Sequence, residues 1–233
     1  MTSVSSISPG SIELVYPPIS KQGDEPKHAV IWLHGLGATA NDFPGVVPEL
    51  GLDAERSIRF IFPQAPNRPV TINGGMSMPA WYDIKGVDIA DKQDSIGMAE
   101  SFTTLEALIQ SQVSLGIPSE NIIIAGFSQG GAVTYHTGVR TKHKLAGMLT
   151  LSTYLPFAEQ VAQEQSGANA DTAIFASHGT ADPVVPVHLG KMSVDKLKEL
   201  GYPIDWKTYP MQHNVIMEQI KEIGAWINNA FNQ

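Results

Sequence analysis

Apolar residues fall into two patterns along this chain: short unbroken runs, and longer stretches in which they return every third or fourth position. Runs at 28–33 (His-Ala-Val-Ile-Trp-Leu), 59–62, 121–125 (Asn-Ile-Ile-Ile-Ala), 145–151 and 173–177 predict strands buried on both faces. Residues 12–16 predict a first edge strand, and alternation through Ile204, Trp206 and Thr208 predicts an edge-side strand at 204–209. Helical spacing is clearest at 94–115, where Ile96, Ala99, Phe102, Leu105, Leu108, Ile109 and Val113 share a face before Gly116 and Pro118 stop the helix. Further helices are predicted at 39–50 with Asn41 or Thr39 as N-cap, at 130–141, at 187–200 and at 214–231. Residues 63–96 break both patterns with Pro63, Pro66, Pro69, Gly74, Gly75, Pro79 and Gly86. They read as a long ordered loop, a kind of segment that often carries function. Strands and helices otherwise alternate, which predicts parallel βα units in one doubly wound sheet with helices on both faces.

Composition narrows the class. The 233 residues suit one large α/β domain spanning 1–233, with a loose tip at 1–11 rich in Ser and small polar groups. Apolar residues at 42% and charged residues at 16% fit a folded core rather than disorder. The net charge of −8, with 15 Lys and Arg that form no run, argues against a nucleic-acid surface. The absence of cysteine excludes disulfides, thiolate metal sites and a cysteine nucleophile, and fits a reducing cytosol. No stretch has the length of a signal-peptide core or a membrane span, so the expected location is cytoplasmic.

The chemistry centres on Gly126-Phe127-Ser128-Gln129-Gly130, a G-x-S-x-G motif between a buried strand and a helix. A serine on so sharp a turn needs small neighbours, and the turn holds Oγ proud of the sheet beside a helix N-terminus. The Gln129 N–H then points to where an oxyanion forms. Serine also needs a base and the base an orienting acid, in the chain order Ser, Asp or Glu, His. Of the downstream histidines, only His213 lies in a loop after both the last strand and a suitable acid. Asp182 is the favoured acid, because it follows a strand end and a Gly turn in His178-Gly179-Thr180-Ala181-Asp182. Asp171 precedes its strand, Asp195 sits in a helix and Asp205 lies within a strand. His34-Gly35-Leu36-Gly37 follows an early strand, and the Leu36 N–H is the candidate second oxyanion donor, against the reading of an ordinary glycine turn. No metal-ligand spacing, dinucleotide fingerprint or phosphate loop is present, so no metal and no cofactor is expected. The predicted fold is a single-domain α/β-hydrolase fold. The predicted function is a serine hydrolase that forms an acyl-enzyme.

These residues carry a resemblance. The stretches 30–37, 68–75 with 78–83, 125–133, 151–156, His178-Gly179 with Asp182, and 209–213 resemble, in order, the acyl-protein thioesterase/lysophospholipase group, also called the phospholipase/carboxylesterase family. The chain looks closest to the bacterial carboxylesterases of that group. The resemblance implies Ser128, Asp182 and His213 as the triad, and Leu36 and Gln129 as oxyanion donors. It also implies that the 63–96 loop shapes an acyl-binding groove, which suits Ile72, Met76, Met78 and Trp81. Small-molecule or lipid acyl esters, or an acylated protein, are the substrates implied, and a homodimer is the assembly. One departure is visible: many relatives carry Ser-Val-Cys after the histidine, where this chain has Asn214-Val215-Ile216. Two other readings compete. A non-catalytic binding module on this fold would lack a triad member, and none is lacking. A different hydrolase on the scaffold would take the form of a dienelactone-hydrolase-like enzyme, usually with a cysteine nucleophile, or a peptidase, usually with an added domain or lid.

Overall fold

The computed structural model describes residues 9–17, 25–86 and 93–232. Its main sheet has seven strands: β1 (Ile12–Tyr16), β2 (His28–Leu33), β3 (Ile58–Phe62), β6 (Ile122–Phe127), β7 (Gly147–Leu151), β8 (Ile174–Gly179) and β9 (Ile204–Tyr209). The order across the sheet is β1-β3-β2-β6-β7-β8-β9. Only β1 runs antiparallel to its neighbour, and β1 and β9 form the two edges, as the pattern predicts. Among the described residues the α-helices are α1 (Ser95–Ser114), α2 (Gln129–Arg140), α3 (Val161–Glu164), α4 (Val187–Glu199) and α5 (Met217–Ala230), the last of which follows β9. The short α3 lies in a stretch for which the apolar pattern predicts no element.

The unbroken apolar runs become strands buried on both faces, because successive side chains alternate across the sheet. Along β2, Ala29, Ile31 and Leu33 enter one core with α1, α2 and α4. Val30 and Trp32 enter the other, with Ile220, Ile223 and Ile227 of α5. Two cores, one per face, are the physical content of a doubly wound sheet.

Two predicted elements come out differently. The helix expected at 39–50 is a turn followed by a 3-10 helix over Pro44–Leu50. Pro44 and Pro48 each lack the N–H that an α-helix would use, and the Asp42 carboxylate draws the Thr39 N–H into a local turn at 3.1 Å. The segment still covers its face through Val47 and Leu50. The 63–96 loop contains an antiparallel hairpin, β4 (Asn67–Val70) and β5 (Met76–Pro79), in which Val70 pairs with Met76. Proline on this two-stranded ribbon and the glycine pair at its tip hid the alternation; Gly74 and Gly75 both hold positive φ. Residues 87–92 of that loop, and 1–8 of the expected N-terminal tip, lie outside the described residues. Ser11 of the tip is held, since its Oγ accepts the Gln64 N–H at 3.0 Å.

The chain runs from β2 to β3 on one side and returns to β6 on the other. The carboxyl ends of β2 and β6 are therefore adjacent at a topological switch point, where open α/β sheets bind ligands. Leu33 pairs with Gly126, which sets the 34–37 loop beside the serine turn.

Candidate active site

Ser128 sits between β6 and α2 with φ 54° and ψ −119°. A non-glycine residue at positive φ costs on the order of 1–3 kcal/mol and persists only where its surroundings enforce it. Here the enforcement is backbone contact. The Ser128 N–H donates to Leu151 O at 2.8 Å, and its carbonyl accepts the Ala132 N–H at 3.1 Å and the Thr153 hydroxyl at 2.7 Å. The flanking glycines are sterically required. A Cβ on Gly126 would enter the backbone of Gly130, and one on Gly130 would lie 2.5 Å from Leu33 O. Gly131 is equally tight, since its Cβ would lie 2.7 Å from Thr153 Cγ2. Thr153 escaped the sequence reading because nothing in the chain order signals a contact 25 residues downstream.

Asp182 and His213 come from the loops after β8 and β9. A Cβ on Gly179 would collide with the backbone of Met211 and Gln212, so glycine is what lets the two loops cross at this point. The Ala181 N–H then donates to Met211 O at 3.1 Å and ties them together. His213 Nδ1 lies 2.6 Å from Asp182 Oδ2, and its Nε2 lies 2.9 Å from Ser128 Oγ. Asp182 Oδ1 accepts the backbone N–H groups of Val184 and Val185 at 2.8 and 2.9 Å, so both carboxylate oxygens are engaged. Phe127 packs on the His213 ring with centroids 4.8 Å apart. The three residues chosen from chain order are therefore brought into one hydrogen-bonded line. Such a line can pass a proton from Ser128 Oγ to His213 Nε2 while Asp182 holds the resulting imidazolium.

The candidate oxyanion donors flank that serine. A Cβ on Gly35 would lie 3.3 Å from Ser128 Cβ, so the 34–37 loop abuts the serine turn. The Gln129 N–H is the first of α2, and no helical carbonyl precedes it. Among the described residues, no acceptor engages the N–H of Leu36 or of Gln129. His34 anchors the loop: its Nδ1 donates to Gly35 O at 2.8 Å and its Nε2 accepts the Ala65 N–H at 3.1 Å. That pairing uses the neutral ring, and burial holds the His34 pKa below the usual histidine value. His178 is fully buried beside Asp182, with its Nε2 donating to Val185 O at 2.7 Å. Burial lowers its pKa as well.

The expected groove residues divide. Ile72 and Met76, 43% and 65% exposed, stand on the outside of the hairpin. Met78 is half-buried, and its sulfur faces Gly37 of the 34–37 loop. Trp81 is a correction. It lies in the core at 1% exposure, and its indole N–H donates to His34 O at 2.8 Å, so it supports the site from behind rather than lining a groove. An aromatic ring with one polar group satisfies both demands only when buried beside a fixed acceptor. Val184, 60% exposed next to Asp182, is an apolar residue at the site that the sequence reading passed over. Among the described residues, no group of three or more His, Asp or Glu side chains could hold a metal ion, and no helix is long and apolar enough to cross a membrane.

Comparison with known proteins agrees with this architecture. The phospholipase/carboxylesterase family profile matches residues 15–230. The acyl-protein thioesterase 1 of Neurospora crassa is 41% identical over 209 residues, covering 85% of this chain and 84% of its own. That of Yarrowia lipolytica is 40% identical over 210 residues, covering 88% and 92%. The crystal structure of Zea mays acyl-protein thioesterase 2 superposes with a TM-score of 0.81 at 26% identity, covering 94% of this chain and 99% of that one. A family match over nearly the whole chain, on a sheet of this topology, identifies it as a member of the phospholipase/carboxylesterase family of α/β hydrolases.

Proposed function

We propose that this one-domain protein hydrolyses carboxylic esters and thioesters through a covalent acyl-enzyme, with Ser128 as nucleophile, His213 as general base and acid, and Asp182 as the group that orients and stabilises the imidazole. The observation that carries the reading is the line Asp182–His213–Ser128, with steps of 2.6 and 2.9 Å, ending on a serine held at φ 54°. His213 takes the proton from Oγ as it attacks the acyl carbonyl. The N–H groups of Leu36 and Gln129 receive the oxyanion, and His213 returns the proton to the departing alcohol or thiol. Water activated by His213 then frees the acid. Ile72, Met76 and Met78 line the path of the acyl chain.

Relatives named acyl-protein thioesterase favour acylated protein thiols among the substrates, alongside small-molecule and lipid acyl esters. A cytoplasmic location agrees with a cysteine-free chain. A homodimer is the assembly proposed, on the family resemblance alone.

The test is hydrolysis of p-nitrophenyl esters from acetate to palmitate beside a palmitoyl thioester, with Ser128→Ala as control. The expected result is turnover by the wild type and a loss of at least about 10³-fold in the variant. Full activity in Ser128→Ala would overturn the assignment. Light scattering on the same preparation checks the dimer.

A further inference from the structure

The residue after the nucleophile has a side chain that the reaction scheme does not use. Gln129 is 2% exposed, and its amide does not face the site. Its Oε1 accepts the Trp81 N–H at 2.8 Å, and its Nε2 donates to Tyr82 O at 2.6 Å. Both amide groups are thus spent on two consecutive residues of the strap that runs from β5 toward α1. The same strap holds the other oxyanion loop: Trp81 Nε1 donates to His34 O at 2.8 Å, and the Gly37 N–H donates to Pro79 O at 2.8 Å. These two bonds bracket Leu36. The strap is itself fixed to α1, because Ser101 Oγ donates to Trp81 O at 2.5 Å.

The two N–H groups that would bind the oxyanion come from segments more than 90 residues apart, and beyond the β2–β6 ladder at their base no backbone hydrogen bond among the described residues ties those segments directly. Past that ladder, each is tied to residues 79–82. An oxyanion pair works only when both donors are fixed near hydrogen-bond distance of one point before charge develops. We propose that the Gln129 side chain is a positioning group: it sets the spacing between the Leu36 and Gln129 N–H donors by clamping the 79–82 strap, and it couples the β4–β5 hairpin to the oxyanion site. This inference rests on the reading of Ser128 as nucleophile. It goes beyond that reading in assigning a role to the amide rather than to the backbone of residue 129.

The side chain can be changed without deleting the N–H donor, so the two roles separate. Gln129→Met fills similar volume and removes both strap bonds. The expected result is a fall in kcat of about tenfold or more, smaller than the 10²–10³-fold loss of a whole donor. KM for p-nitrophenyl acetate should stay within about threefold. Affinity for an alkyl boronic acid, which forms a tetrahedral adduct on serine, should fall in step with kcat. Trp81→Phe, which keeps a ring but loses the bond to His34 O, should reproduce this split and decides the matter if Gln129→Met does not fold. The double variant should lose no more than the worse single one, since both act through one strap. If folded Gln129→Met keeps kcat within twofold of wild type, or loses kcat with boronate affinity unchanged, the positioning role is overturned. Labelling with a fluorophosphonate separates this from failure of the site itself. A wild type that is labelled, beside an unlabelled Ser128→Ala, keeps the nucleophile assignment whatever Gln129→Met does. A wild type left unlabelled removes the ground for both.

Discussion

The serine turn and the β4–β5 hairpin adjoin at the carboxyl edge of the sheet, yet they are held in opposite ways. At the turn, a Cβ added to any of Gly126, Gly130 or Gly131 would strike backbone or a packed side chain. At the hairpin tip, a Cβ on Gly74 or Gly75 would meet nothing within 4 Å, and the glycines serve only to supply positive φ. The turn is largely buried and carries Ser128, the proposed nucleophile. The hairpin exposes Ile72 and Met76 and is pinned at its ends, where Asp83 accepts the Thr71 N–H at 2.7 Å and the Gly37 N–H reaches Pro79 O. Chemistry demands one geometry enforced from all sides, whereas recognition of a variable acyl chain needs apolar area on a support that can yield.

The comparison can be tested from its strong end to its weak one. Asp182→Asn keeps the packing of the inner region but offers His213 Nδ1 an amide in place of a carboxylate. Activity on p-nitrophenyl butyrate should fall on the order of 10⁴-fold with little change in melting temperature. A loss below tenfold would deny Asp182 its role in orienting His213 and stabilising the imidazolium. Two glycine replacements set the regions against each other directly. Gly130→Ala should cost about 1–3 kcal/mol through overpacking and at least about 10²-fold in kcat through displacement of the oxyanion donor. Gly75→Ala should cost about 1 kcal/mol through its positive φ alone and leave kcat unchanged. Equal effects in urea melts and kinetics would erase the distinction. On the outer region, combined Ile72→Ser and Met76→Ser should raise KM about tenfold for a p-nitrophenyl laurate while sparing the acetate. A loss on the acetate as large as on the laurate would deny the hairpin an acyl role.

Acid sharpens the contrast by smaller steps. His34 and His178 belong to the inner region and are held below the usual histidine value by burial, whereas residues 67–79 contain no histidine. Between those lowered values and about 6.5, the unfolded chain binds more protons than the native one. Stability therefore rises with pH through that window and declines as pH drops below about 6.5. Urea midpoints should be lower at pH 5.5 than at pH 7.5, and a midpoint that did not move would contradict the neutral buried rings.

Much of this was legible in the chain because local patterns carried it. The Ile-Ile-Ile run became the first half of β6, the middle strand of the sheet, and the prediction for β2 at 28–33 matches its observed bounds. Gly126 and Gly130 around Ser128 announced a turn whose strain the backbone confirms. Chain order and position past a strand end picked Asp182 and His213 from among many carboxylates and histidines, and the two lie in line with Ser128. Where the pattern was broken by proline and glycine, it misled: 39–50 became a 3-10 turn, and 63–96 hid a hairpin. Trp81 looked like groove surface because composition cannot tell an apolar lining from an apolar core.

What the sequence determined by itself is the chain order of the seven main-sheet strands and of α1, α2, α4 and α5, the site of the serine turn and the cast of polar residues, since each depends on neighbours a few positions away. Only the tertiary structure decided that Gly179 lets two loops cross, that Thr153 caps the Ser128 carbonyl, and that the 79–82 strap holds the Gln129 amide while its Trp81 indole reaches His34 O. Those contacts join residues 25 to 48 positions apart. They exist because close packing of two cores on one sheet leaves buried polar groups no partner except the one the fold delivers.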